Sequence, residues 1–108
     1  MSMQEPGLGR HDWQGRLESL EDDLRDEPAQ GLTELADLVE AMLLEAGYNV
    51  ADPVAGEGDE RDVSAEFRAA REVSDRVEGG DDVDPGDIAA AIQGLRALAD
   101  YVVGERLG

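Results

Sequence analysis

The chain has 108 residues with 27 Asp and Glu, nine Arg and no Lys, and its formal net charge at pH 7 is −18. Nucleic acids and anionic membrane surfaces bind proteins through clustered cations, so this charge argues against direct binding to either one. Cysteine is absent, which excludes disulfides and thiolate metal sites, and no apolar run approaches the roughly 20 residues that span a bilayer.

The first predicted helix begins at Asp12, its expected N-cap, and ends before Pro28. Residues 1–11 precede it, contain two Gly and one Pro, and are expected to form a flexible segment. The apolar residues of this helix are spaced 4-3-4 and share one face: Trp13, Leu17, Leu20 and Leu24. Trp13 is the only tryptophan and has two interpretations: core packing against the second helix, or the anchor of a protein partner.

The second predicted helix runs from Pro28 to Ala46. Its apolar residues cover an arc wide enough to face two neighbouring helices at once. Gly47 is the expected left-handed residue after the helix, and Tyr48 is expected to fold back onto Leu43 in a Schellman motif. Leu44 falls outside the apolar arc, so it is either exposed or covered by the segment that follows.

That segment, residues 48–61, is about 14 residues long without helical periodicity, whereas bundle helices are typically joined by about 2 to 8 residues. Three interpretations stay open: an ordered crossing over the end of the bundle, a mobile linker, or a binding loop. Its Gly-Glu-Gly sequence lacks the Lys and the Ser or Thr of a phosphate-binding loop.

The third predicted helix, residues 62–78, has a narrow apolar stripe and an outer face of alternating charge. Residues four apart on one helix are neighbours, so the spacing predicts ion pairs of Arg68 with Glu72 and of Arg71 with Asp75. The helix ends at Gly79 and Gly80.

The acidic run Asp82 to Asp87 has two interpretations. It superficially matches a calcium loop, but the positions that would complete the coordination are Gly86 and Gln93. As a helix start it fits throughout, with Asp84 as the N-cap, Pro85 at the first helical position and Asp87 near the positive helix end. The second interpretation is therefore preferred.

The fourth predicted helix, residues 85–103, carries two apolar stripes. The main stripe comprises Ile88, Ile92, Leu95, Leu98, Ala99 and Val102, and the smaller one comprises Ala90, Gly94, Ala97 and Tyr101. A helix that is apolar around most of its circumference is either central in its domain or shared with another chain. Three partner helices can hardly cover it, so the sequence favours a homodimer in which the smaller stripe is the interface.

No catalytic, cofactor-binding or metal-binding residue is predicted. His11 is the only histidine, the Ser residues are expected at polar helix positions, and the Glu-x-x-His pairs of di-iron bundles do not occur. The protein is thus not expected to be an enzyme. A carboxylate-metal enzyme is the remaining catalytic alternative, and a metal analysis of the purified protein tests it.

The sequence predicts an all-α fold: a small four-helix bundle, residues 12–107, with a long loop between helices 2 and 3. We expect a cytoplasmic protein–protein interaction or assembly module, with Trp13 and the smaller stripe of the fourth helix at interfaces with a second copy or an unidentified protein. The alternative is an acidic nucleic-acid mimic that occupies a DNA-binding protein. The acidity, with Arg in place of Lys, is typical of proteins adapted to molar salt, or it reflects a GC-rich genome.

Overall fold

The computed structural model describes residues 10–48 and 59–104, and within these two ranges all regular structure is helical. The helices are α1 (Arg10–Ser19), α2 (Glu21–Asp26), α3 (Pro28–Glu45), α4 (Asp59–Glu78) and α5 (Pro85–Val102). The predicted all-α class is confirmed. Most of the predicted flexible segment and of the predicted long loop falls on residues 1–9 and 49–58, which lie outside the described residues. Their ends differ from the prediction, because residues 10–11 belong to α1 and α4 begins at Asp59, three residues before its predicted start.

The first predicted helix is two helices, because the chain turns at Leu20. The backbone N–H of Leu20 donates to Leu17 O at 3.1 Å, a bond across three residues rather than four. One residue earlier, Ser19 Oγ donates to Gly15 O at 3.0 Å, a side-chain bond that tends to bend helices. The start also differs from the prediction: α1 begins at Arg10, so Asp12 lies in the first helical turn and is not the N-cap.

The centre of the molecule is α3, which contacts each of the other four described helices. Its inward side chains are almost completely buried: Leu32, Leu35, Ala36, Val39, Met42 and Leu43. Leu44, the residue outside the apolar arc, is 58% exposed. The fourth predicted helix, α5, is not buried on all sides, because its Ala90 and Ala97 are exposed.

The end of α3 is the predicted Schellman motif. Gly47 has a φ of 93°, which a residue without Cβ adopts at no steric cost. Tyr48 N donates to Leu43 O at 2.9 Å and Gly47 N donates to Leu44 O at 3.1 Å, the two bonds that define the motif. Tyr48 is buried as a result, so the motif also adds an aromatic side chain to the core.

A cation on α4 joins that helix to α3. The guanidinium of Arg71 lies 3.0 Å from Asp37 Oδ1 and 2.6 Å from Glu40 Oε1, and it also stacks over the Phe67 ring. Burial alone would lower the pKa of Arg71, but hydrogen bonds to the two carboxylates and their negative charge raise that pKa above its ordinary value. Arg71 therefore pairs between helices, not with Asp75 as the spacing predicted.

Two serines of α4 correct another expectation. Polar helix positions are expected for Ser64 and Ser74, but both side chains are buried, at 1% and 0% exposure. Ser74 Oγ donates to Thr33 Oγ1 of α3 at 3.4 Å. A serine side chain is small, and its hydroxyl can form a hydrogen bond where the two helices meet, so the helices can pack closely around it. These serines therefore belong to the core.

Candidate functional site

The start of α5 is set by the residue that precedes it. Asp84 is the N-cap, as predicted: its Oδ1 accepts a hydrogen bond from Gly86 N at 2.8 Å, and Pro85 follows at the first helical position. Among the residues that the structure describes, no group of three or more acidic or histidine side chains is placed to hold a metal ion. The described part of the acidic run therefore acts as a helix start, the preferred interpretation of the sequence.

One side of α5 packs into the core. Its buried residues are Ile88, Ala91, Leu95, Leu98, Ala99 and Val102, which reproduces most of the predicted main stripe. Ile92 differs, since it is only half-buried and lies at the edge of a groove. The main stripe therefore packs mainly against α3 and α4.

The smaller stripe forms a separate surface, which we call the α5 face: Ala90, Gly94, Ala97 and Tyr101. Ala90 and Ala97 are exposed, Gly94 is half-buried, and Tyr101 is 39% exposed. Three of these residues line a groove of about 450 Å³ against α4. The structure therefore brings together every predicted interface residue except Trp13.

Carboxylates border the α5 face on its α4 side. Asp62 and Glu66 line the same groove, and a Cβ built on Gly94 would lie 3.4 Å from Glu66 Oε2. Glu66 thus lies across the glycine at the middle of the face. Any surface that covers the α5 face has to accommodate this negative edge, and salt screens that charge.

Trp13 is placed elsewhere. Its side chain is 4% exposed, and α1 contacts α2 and α3 but none of the other described helices. The guanidinium of Arg16 lies 5.9 Å from the centre of its ring. Trp13 Nε1 is buried and has no hydrogen-bond partner among the described residues. In the isolated chain Trp13 is a core residue, and its role as a partner anchor stays a prediction.

A second groove on another side of α5 was not predicted. It has a volume of about 510 Å³ and lies between α5 and the corner where α2 meets α3. Ile88 and Ile92 form one wall, Leu24 and Ala29 the other, and Arg96 lies at one end. The relative placement of α2 and α5 cannot be derived from periodicity, so the sequence did not predict this groove. Its one sequence signal was the position of Ile92 beside the polar edge of α5.

The described ranges include no helix that combines the length and the hydropathy needed to cross a bilayer. Comparisons of this chain with models of protein families, with curated proteins and with solved structures found no match. The functional argument therefore depends on the two surfaces of α5.

Proposed function

We propose that this protein is a non-catalytic assembly module and that it forms a homodimer by pairing the α5 faces of two copies. The observation that carries the proposal is the exposure of the small residues Ala90 and Ala97 on a helix whose opposite side is in the core. A helix with small exposed residues lets another backbone approach closely. A two-fold axis then buries the same surface on both copies.

A second copy fits the α5 face because the face contains both a large and a small residue. In an antiparallel pair centred between residues 97 and 98, Tyr101 of each copy lies opposite Gly94 of the other. The ring would fill the space that the glycine leaves, while its hydroxyl stays at the wet margin of the contact. The carboxylates of Glu66 approach each other in this arrangement, so the dimer is expected to be more stable in molar salt.

Cysteine cross-linking tests this proposal cleanly, because the chain contains no cysteine. Ala97→Cys places one thiol next to the proposed axis, within the short reach of a disulfide. Ala89→Cys is the matched control, since Ala89 is also an exposed alanine of α5 but lines the other groove. Under mild oxidation in molar KCl, Ala97→Cys should form covalent dimers much faster than Ala89→Cys. Equal rates would contradict the proposal.

The number of helices in the bundle, the bounds of the domain and the cellular location are also proposals. Counted as one bent helix, α1 and α2 are the first element of a four-helix bundle that α3, α4 and α5 complete. The packing of α2 on α3 and the mutual packing of α3, α4 and α5 support this description. We propose a single domain over residues 12–107, with the long connection between its second and third helices, in a cytoplasm with molar salt.

The acidic nucleic-acid mimic stays an untested alternative. A mimic needs carboxylates in rows at phosphate-like spacing on one surface. The exposed carboxylates of the described residues instead occur on every helix, for example Asp12, Asp22, Asp37, Glu72 and Asp100. This distribution gives the mimic no particular support.

A further inference from the structure

The groove between α5 and the corner of α2 and α3 differs in charge from the rest of the surface. We call it the Arg96 groove. The groove beside the α5 face is lined by the carboxylates of Asp62 and Glu66. Among the described residues that line the Arg96 groove, none is acidic and the one charged side chain is that of Arg96. In a chain with 27 acidic residues and nine Arg, such a surface is an exception.

The cation of the Arg96 groove is already paired with a carboxylate that lies outside the groove lining. Arg96 Nη2 lies 2.8 Å from Glu21 Oε1 of α2, and the two side chains are 44% and 47% exposed. Ion pairs with this much exposure contribute little stability, so an incoming carboxylate can replace Glu21 at small cost. The pair with Glu21 shows that the exposed guanidinium binds a carboxylate at this position.

The walls of the groove accept an apolar body. Ile88, Ala89 and Ile92 follow one another along α5, with Leu24, Pro28 and Ala29 across from them. From Ile88 to Arg96 the helix rises about 12 Å, at about 1.5 Å per residue. The volume of about 510 Å³ lies within the range of small-molecule sites, roughly 300–1,000 Å³.

We propose that the Arg96 groove binds a hydrophobic carboxylate, with its acyl chain along Ile88 and Ile92 and its carboxylate on the guanidinium of Arg96. The planar guanidinium matches a carboxylate with two parallel hydrogen bonds. Glu21 is displaced from this cation when the ligand binds. The proposal is independent of the dimer, because this groove and the α5 face lie on different sides of α5.

Calorimetric titration with octanoate in molar KCl tests the proposal through two variants with opposite expected effects. Arg96→Gln removes the cation and should weaken octanoate binding by roughly twofold to fivefold. Glu21→Gln removes the internal competitor and should tighten binding by about the same factor. Adsorption to a generally apolar surface would change in neither variant, and loss of folding would weaken binding in both.

Two controls complete the experiment. Arg25→Gln removes an exposed cation of α2 that pairs locally with Asp22, so octanoate binding should not change. Octanol has the same chain without the charge, and its affinity should be equal in the unmodified protein and in Arg96→Gln. Circular dichroism of each variant verifies its helicity. Absence of octanoate binding, or an unchanged affinity in either Arg96→Gln or Glu21→Gln, would overturn the proposal.

Discussion

At Gly31, α2 and α3 are in close contact. A Cβ at this position would lie 2.8 Å from Leu24 Cδ2 and 2.9 Å from Leu24 Cα. Because one of these atoms belongs to the backbone, the contact cannot relax by rotation of a side chain alone. The glycine is required by the close approach of the two helices.

We therefore expect Gly31→Ala to destabilise the protein. Overpacking costs about 1–3 kcal/mol, which exceeds the gain of up to about 1 kcal/mol in helix propensity. Gly15→Ala is the matched control, because a Cβ at Gly15 of α1 meets nothing within 4 Å and only the propensity gain applies. Urea unfolding in molar KCl, followed by circular dichroism, measures both variants. Equal gains in the free energy of unfolding would show that α2 and α3 are not in close contact.

Asp84 gives a second prediction for a single residue. Asp84→Ala removes the acceptor of the Gly86 N–H bond and should lower the free energy of unfolding by about 0.5–2 kcal/mol. Asp82→Ala, an exposed aspartate before the cap, should have a much smaller effect. Both effects should be the same with and without calcium. A micromolar calcium site that is lost in Asp84→Ala would show that the run Asp82 to Asp87 is a cation site.

At the scale of the elements, the contact between α3 and α4 depends on Arg71. Arg71→Met keeps most of the apolar stem but leaves Asp37 and Glu40 without their shared cation, and we expect a loss of about 1 kcal/mol. Arg25→Met removes an exposed pair within α2 and should cost much less. Thermal unfolding compares the two variants. Equal midpoints would mean that Arg71 does not join the helices.

The same elements show what the sequence could and could not predict. The end of α3 and the start of α5 were predicted because Gly47 and Asp84 act through hydrogen bonds to nearby residues. The partners of Arg71 were not predicted, because helical spacing identifies neighbours on the same helix and gives no information about contacts with α3. The turn at Leu20 also gave no signal, because the periodicity of the apolar residues continues through it.

Of the two candidate surfaces, the sequence predicted one and not the other. The α5 face was predicted because its residues lie on one helix and share a stripe. The Arg96 groove required the relative positions of α2, α3 and α5, which local patterns do not determine. The central position of α3 was missed for the same reason, although the wide apolar arc of that helix was recognised.

At the scale of the whole molecule, the net charge of −18 predicts that folding depends on salt. Repulsion among the carboxylates opposes the compact state in dilute buffer, and in molar salt the Debye length falls to about 3 Å. The thermal midpoint measured by circular dichroism should therefore rise from dilute buffer to molar KCl. A midpoint that stays constant over this range would refute adaptation to high salt.

The central claim is that the α5 face pairs two copies of the chain, and the molar mass in solution tests it most directly. Light scattering at tens of micromolar protein in molar KCl should give twice the chain mass of 11.6 kDa. Ala97→Glu, which brings two like charges to the proposed axis, should restore the mass of one chain while the helicity is retained. A mass of 11.6 kDa for the unmodified protein under these conditions would contradict the account.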